Sequence, residues 1–260
     1  MNMKIIRYDI RAVWNENKVK YMVFAGFIII ACICCNHSCK KLLSVDMGFW
    51  DYILWNLRGM KVIRKNEYIV PNAYWVFIQL YLAVVVGVYP VKDLHMAGQQ
   101  ILLKSGNRKA WWFGKVIWNI LSVLGFYLVL YLSVTAVSIV TGGFKAAQPE
   151  VAAFLLENQK IENAGTELYM YAMAVPAIVS LAISVTQMMI AVIFQPPMGY
   201  IWVCAVIATG IFIYSPYSLG NYLMLMRTPV LLHGSILNAL WAVVLGSLLY
   251  WFRWLLAVSQ

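Results

Sequence analysis

The chain has 260 residues, of which 63% are hydrophobic and 12% are charged, and its formal net charge is +10. Soluble domains are about 45–50% apolar and about 25% charged, so the composition excludes an ordinary soluble domain and indicates a membrane protein. Each bilayer crossing needs about 20 mostly apolar residues, and the apolar runs provide several. We attribute the positive charge to lipid headgroups and expect no nucleic-acid partner.

Residues 1–20 have the pattern of an amphipathic helix. Apolar side chains recur every three or four positions and basic side chains occupy another face; the apolar set is Met3, Ile6, Ile10 and Val13, and the basic set is Lys4, Arg7, Arg11 and Lys18. Such a helix lies flat on an anionic leaflet. We therefore predict an N-terminal interfacial helix with Arg7, Arg11 and Trp14 as membrane anchors; a solvated charged face is the alternative.

Four of the five cysteines cluster around His37, namely Cys32, Cys34, Cys35 and Cys39. Residues 29–32 resemble a bacterial lipobox, but Asp9 and Glu16 are unusual in a cleaved leader, so we expect the segment to be retained. The spacing C-x-C-C-x-H-x-C suits a soft metal or one labile disulfide. Cysteine is also a common apolar core residue, and we predict no metal site.

Six apolar runs predict six transmembrane helices, at about 21–36, 71–91, 116–141, 169–194, 200–214 and 235–256. Pro71 opens the second run at a position that helices tolerate. Pro176 removes a backbone donor from the fourth run and predicts a kink there. The predicted fold is therefore an all-α polytopic membrane protein.

The distribution of charge predicts the orientation. Residues 1–20 carry five basic side chains and the loop 92–115 carries five more, whereas the loop 142–168 has two against four glutamates. The positive-inside rule then places both termini and the loop 92–115 in the cytoplasm. The loop 37–70 becomes external although it is basic. Within it Phe49, Ile53, Leu57 and Met60 repeat at the spacing of an amphipathic helix, which we predict to lie on the outer leaflet.

The stretch 215–234 is apolar but interrupted by prolines and glycines. We interpret it as a re-entrant or interfacial segment, which a membrane tolerates only where protein or a cavity covers the backbone. A plain external loop is the alternative.

All ten acidic residues fall outside the predicted spans. Ion-coupled transporters usually bury ionisable groups along the pathway, and here the spans offer only amides and hydroxyls. The candidate substrate-path residues are Gln79, Asn119, Ser133, Ser180, Ser184 and Gln187. The chain has no P-loop, H-E-x-x-H or G-x-S-x-G motif, so we expect a protein that is not itself an enzyme.

The segment 101–115 combines two chemistries. Trp111, Trp112 and Lys115 begin the third span and are predicted to anchor it among the headgroups. The preceding run from Gln99 to Lys104 is short, apolar at Ile101–Leu103 and flanked by glycines. This pattern favours a short helix that docks into a groove on another protein.

The run from Tyr89 to Asn119 resembles the loop between the second and third spans of bacterial type-2 ABC transporter permeases. The matching residues are Asp93, Leu94, Gly98, Gln100, Ile101, Leu102, Ser105, Arg108, Trp111, Trp112, Lys115 and Trp118. Residues 70–75 and 214–227 are similar to that family as well. Lys104, Gly106 and the basic loop 37–70 depart from the pattern.

The resemblance implies a permease subunit of an ABC exporter that acts as a dimer with a second or homologous permease. ATP and Mg²⁺ would bind to separate ATPase subunits, and this chain would hold no cofactor. The implied coupling residues are Asp93, Gly98, Gln99, Gln100, Ile101, Leu102, Leu103, Lys104, Ser105 and Arg108. The expected substrate is a peptide or a lipophilic compound, and the expected location is the bacterial cytoplasmic membrane. An ATP-independent channel or carrier, and a membrane scaffold or sensor, are the alternatives.

Overall fold

The computed structural model describes residues 3–62, 70–95, 108–156, 165–215 and 218–228. These form α1 (Met3–Leu43), α2 (Phe49–Leu57), α3 (Ala73–Gly87), α4 (Tyr89–His95), α5 (Arg108–Val140), α6 (Pro149–Leu155), α7 (Gly165–Phe194), α8 (Pro196–Phe212), α9 (Leu219–Tyr222) and a 3₁₀ turn (Leu225–Arg227). No strand occurs within those ranges, which confirms the helical fold class.

Four described helical segments are long and apolar enough to cross a membrane: Val13–Leu43, Ala73–Asp93, Trp111–Val140 and Leu168–Phe194. They correspond to the first four predicted spans and indicate a multi-pass membrane protein. The predicted fifth span coincides with α8, which is apolar but only 17 residues long. The predicted sixth span, 235–256, lies outside the described residues.

α1 is one uninterrupted helix of 41 residues, so no break separates the predicted interfacial helix from the predicted first span. The helix packs along α5. Asn17 donates a hydrogen bond to the Ser122 hydroxyl at 3.0 Å, and the Phe24 and Phe126 rings stack at 4.1 Å. Asn17 belongs to the predicted interfacial segment 1–20, yet it is fully buried. The end of that segment is therefore part of the packing between α1 and α5.

The second predicted span is divided at Val88 into α3 and α4. Pro90 has no N–H to donate to the carbonyl four residues earlier, which weakens the helix at this point. Lys20 of α1 donates to the carbonyls of Val84 and Val85 at 3.3 and 3.1 Å. This ammonium therefore pairs with two of the last carbonyls of α3, which have no intrahelical partner.

α2 is the helix that the spacing of Phe49, Ile53 and Leu57 predicts, but its surroundings differ from the prediction. Its buried residues face all around the helix and include Asp51 and Asn56. α2 contacts α5, α6 and α7. It is therefore packed within the protein, whereas the sequence favoured an amphipathic helix on the outer leaflet.

α7 continues through Pro176. Because proline lacks an N–H, the Ala172 carbonyl has no donor within the helix. The Tyr131 hydroxyl of α5 donates to the carbonyls of Ala172 and Met173 at 3.4 and 3.0 Å. A neighbouring helix thus satisfies the backbone that the proline leaves unpaired, as is common in membrane helices.

Residues 220–228, apart from a short helix and a 3₁₀ turn, are irregular and buried. Arg227 joins this segment to the rest of the fold. Its guanidinium donates to the carbonyls of Met60, Lys61, Gly210 and Ile211 and to the side chain of Asn221. Protein therefore covers the irregular backbone, which is the condition that the re-entrant prediction requires; the position of the segment relative to a membrane stays a prediction.

Candidate functional site

A cavity lies where α3, α7, α8 and the segment after α9 meet. Its volume is about 20 Å³, which is room for one water-sized group. The lining residues are Gln79, Leu82, Ala83, Ser180, Ile183, Ser184, Gln187, Val203, Ile207 and Leu223. Four of the six predicted substrate-path residues are therefore brought together on one surface.

A polar network surrounds this cavity. The Ser184 hydroxyl donates to the Asn119 side chain at 2.8 Å, and the Ser180 hydroxyl lies 2.8 Å from that of Tyr127. Gln187 Nε2 donates to the Ala83 carbonyl at 3.0 Å. These bonds join α7 to α5 on one side and to α3 on the other, so the network holds the cavity walls at a set separation.

Two carboxamides at the cavity are not fully paired. Gln79 Nε2 and Gln187 Oε1 are buried and have no hydrogen-bond partner. The two side chains sit on residues that are 5% and 1% exposed. Buried polar atoms in native proteins nearly always have a partner. Four other described atoms, which lie outside the cavity lining, also have none, namely Asn17 Oδ1, Trp118 Nε1, Trp202 Nε1 and Ser218 Oγ, so this feature is not particular to the cavity.

The predicted substrate-path residues and the residues that line the cavity overlap only in part. Ser133 is buried but does not line the cavity. Tyr127 and Leu223, which the prediction omitted, contribute a hydroxyl contact and part of the wall. A tyrosine within an apolar span is a signal that could have identified Tyr127, because its hydroxyl needs a partner when buried; Leu223 had no such signal.

A second cluster joins the two helices that flank residues 96–107. Asp93 of α4 and Lys115 of α5 form an ion pair of 2.8 Å, with side chains 2% and 1% exposed. Trp111 Nε1 donates to the same carboxylate at 3.2 Å. We call Tyr89, Asp93, Trp111, Lys115 and Trp118 the loop clasp.

Aromatic rings complete the loop clasp. The Lys115 ammonium lies 4.8 Å from the centroid of the Tyr89 ring and 5.7 Å from that of Trp111, within the range of cation–π attraction. The rings of Tyr89 and Trp118 stack at 4.3 Å. A buried charge pair is favourable only when such additional contacts compensate for lost hydration, and here the rings and the indole N–H do so.

This arrangement differs from the predicted anchor roles of Trp111 and Lys115. Both side chains face protein, since Trp111 is 5% and Lys115 is 1% exposed, and so they do not point toward lipid headgroups. Trp112 is half-buried and Trp14 is 66% exposed. The anchor roles of Trp112, Trp14 and Arg11 remain predictions.

The implied coupling residues Gly98, Gln99, Gln100, Ile101, Leu102, Leu103, Lys104 and Ser105 lie outside the described residues. Arg108 starts α5, while its side chain and that of Arg7 also lie outside the described part of the structure. Asp93 is therefore the member of the set whose surroundings are described, and it belongs to the loop clasp.

The four clustered cysteines of α1 differ in their exposure. Cys32 and Cys39 are buried, Cys34 is exposed, and all are free thiols. Asn56 of α2 donates to Cys32 Sγ at 3.6 Å. In the described ranges no three His, Cys, Asp or Glu side chains are arranged to hold a metal ion, and Cys32 contributes to the packing of α1 against α2.

The chain has no match among known family models, curated proteins or solved structures.

Proposed function

We propose that this chain is the permease subunit of an ATP-driven ABC exporter. It forms the substrate path as a dimer with a second copy or a homologous permease, and separate ATPase subunits bind ATP and Mg²⁺. The proposed setting is the bacterial cytoplasmic membrane, with both termini and the loop 92–115 on the cytoplasmic side. The proposed substrate is a peptide or a lipophilic compound.

The observation that carries this proposal is the loop clasp. A loop that transmits force from a partner must be attached firmly to the helices that it moves. The buried pair of Asp93 and Lys115 joins α4 to α5 at the two ends of residues 96–107. A displacement of that loop would therefore act on both helices together, which is what a coupling element requires.

The chemistry of the cavity supports an external source of energy. None of its ten lining residues, all within the described ranges, is ionisable. Carriers that couple transport to ions or protons place ionisable groups along the pathway. A path lined by amides, hydroxyls and aliphatic groups suits a subunit whose energy comes from ATP hydrolysis in a partner, and disfavours the ATP-independent carrier.

The test is copurification with a P-loop ATPase from native membranes. We expect the wild-type chain to purify with an ATPase and the variant Ile101→Asp, Leu102→Asp to lose it while still inserting. The matched control is Phe144→Asp, because Phe144 is 67% exposed and follows the opposite end of α5. α5 has 33 residues and spans about 50 Å, so this change lies far from the loop.

Retention of the ATPase by the double variant would overturn the coupling assignment. A wild-type chain that purifies without any P-loop ATPase, and supports no ATP-dependent efflux, would overturn the proposed function. That second result would favour the alternative of a membrane scaffold or sensor.

A further inference from the structure

Aromatic side chains fill the seam between α1 and α3. The Phe77 ring of α3 lies 4.4 Å from the Phe27 ring of α1 and 5.7 Å from that of Tyr81, and the rings of Phe27 and Tyr74 lie 5.6 Å apart. We call Phe27, Tyr74, Phe77 and Tyr81 the ring seam. Phe77 is 40% exposed, and Val84, on the same face of α3, is 47% exposed. The ring seam is therefore open to the surroundings of the protein.

The hydroxyl groups of the ring seam face protein. The Tyr81 hydroxyl donates to the Lys20 carbonyl at 2.8 Å, and the Tyr74 hydroxyl donates to Asn56 Oδ1 at 2.6 Å. The surface that remains exposed is consequently apolar ring. From Tyr74 to Val84 the helix rises about 15 Å, which is about half of the 30 Å hydrocarbon core of a bilayer. The ring seam therefore covers the depth of one leaflet.

Two lysines lie together at one end of the ring seam. Lys20 donates to the carbonyls of Val84 and Val85 at 3.3 and 3.1 Å, and it interacts electrostatically with Glu16 and Lys92. The Lys92 ammonium lies 3.1 Å from the Glu16 carboxylate, and these two side chains are 46% and 36% exposed. Among these three side chains, two ammonium groups face one carboxylate, so one positive charge is not balanced.

We propose that the ring seam binds one anionic phospholipid. An ammonium has three N–H donors, and the described bonds of Lys20 and of Lys92 use two each, so both lysines can donate to the lipid phosphate. An acyl chain covers the exposed ring surface and removes it from contact with other lipids or water. A zwitterionic lipid brings its own cation and leaves the positive charge unbalanced, so the site prefers an anionic headgroup.

This lipid site is independent of the proposed exporter function. It needs no ATPase partner and no transported substrate, because the protein contacts that form it all lie within α1, α3 and α4. In the proposed orientation the two lysines lie at the cytoplasmic leaflet, where anionic headgroups attract basic side chains.

The test measures the phospholipid that the purified full chain retains, by native mass spectrometry. Phosphatidylglycerol is compared with phosphatidylcholine that carries the same acyl chains. We expect the wild type to retain one phosphatidylglycerol molecule with about three- to tenfold higher affinity than phosphatidylcholine, because two lysines face its headgroup.

The charged end is tested with Lys92→Gln, which should weaken retention of phosphatidylglycerol about three- to tenfold. The matched control is Lys40→Gln at the opposite end of α1. Lys40 is also an exposed lysine paired with a carboxylate, that of Asp46 at 3.0 Å, so both changes remove one charge and leave one acid without its lysine. The control should retain the lipid as the wild type does.

The apolar part is tested with Phe77→Ala, which should also weaken retention about three- to tenfold because less ring surface contacts the acyl chain. The matched control is Phe212→Ala, since Phe212 ends α8 outside the ring seam and is 59% exposed. Melting temperatures in phosphatidylcholine nanodiscs should stay close to that of the wild type for the lysine variants, because both lysine side chains are exposed.

Three outcomes would overturn the lipid site. The first is equal retention of the two phospholipids by the wild type. The second is an equal loss in Lys92→Gln and Lys40→Gln, which would indicate general attraction of anionic lipid to a basic protein. The third is unchanged retention by Phe77→Ala, which would show that the lysines bind a headgroup without any contribution from the ring seam.

Discussion

The Asp93 carboxylate lies 2.8 Å from the Lys115 ammonium, and neither side chain is more than 2% exposed. Removal of one partner from a buried pair leaves an uncompensated charge, which costs about 3–5 kcal/mol. We therefore expect Lys115→Met to lower the free energy of unfolding by about that amount. Denaturation in detergent micelles measures the change.

The double variant Asp93→Leu, Lys115→Met should be much less destabilised than Lys115→Met, because it leaves no buried charge. Lys40→Met is the surface control, since the pair of Lys40 and Asp46 is 63% and 39% exposed and should contribute little. Equal losses in the single and double variants would show that packing, and not charge, holds the loop clasp.

Arg227 connects the irregular segment after α8 to the carbonyls of Lys61 and Ile211, each at 3.0 Å from Nη2. Lysine cannot reproduce the planar fork of donors that these acceptors require. We expect Arg227→Lys to lower the free energy of unfolding by about 3 kcal/mol or more, since several charge-assisted bonds are lost together. Thermal unfolding of the purified chain measures it.

Arg58→Lys is the matched control for Arg227→Lys. The Arg58 side chain donates one described hydrogen bond, to the Leu155 carbonyl at 3.4 Å, so we expect a loss of about 1 kcal/mol or less. If both variants lost the same amount, the Arg227 contacts would not be what stabilises the segment 218–228.

The substitution of glycine by alanine can be compared at a crowded position, Gly87, and at an open one, Gly26. A Cβ at Gly87 would lie 2.6 Å from Tyr200 Oη and 2.8 Å from Gln187 Nε2, so Gly87→Ala should cost about 1–3 kcal/mol. A Cβ at Gly26 meets nothing within 4 Å, and within α1 Gly26→Ala should stabilise by about 0.5–1 kcal/mol. Melting temperatures that shift in the same direction would contradict this pair of predictions.

Asp51 predicts a pH dependence of stability. Burial raises the pKa of its carboxyl, although hydrogen bonds from the backbone N–H groups of Gly48 and Gln148 oppose the shift. A raised pKa means that the folded state binds more protons than the unfolded state. The contribution of Asp51 to the free energy of unfolding is therefore fully present below the ordinary carboxyl pKa of about 3.9. It is lost as the pH rises through the raised pKa of the folded state.

The measurement is the free energy of unfolding against pH for wild type and Asp51→Asn. We expect the wild type to lose stability over this window and the variant to lack that contribution, because an amide does not titrate there. The variant should be less stable overall, since its NH₂ group cannot accept from both backbone donors. An identical pH slope in the two proteins would assign the dependence to another group.

Local sequence patterns predicted the helices well. The apolar runs anticipated α3, α5 and α7, and the spacing of Phe49, Ile53 and Leu57 anticipated α2, because a helical period is visible within a few turns. The same patterns placed a boundary near residue 20 that the continuous α1 lacks. An amphipathic pattern indicates which face of a helix is apolar. It does not indicate where the helix begins or ends, or what packs against that face.

The sequence by itself determined that this is a helical, multi-pass membrane chain. Only the tertiary structure decided which distant side chains meet: Gln79 with Gln187 at one cavity, and Asp93 with Lys115 at the base of one loop. Hydropathy depends on neighbours along the chain, whereas these contacts depend on how helices pack. The sequence near Trp111 and Trp112 therefore suggests that Lys115 is a headgroup anchor, whereas in the structure Lys115 lies next to the buried carboxylate of Asp93.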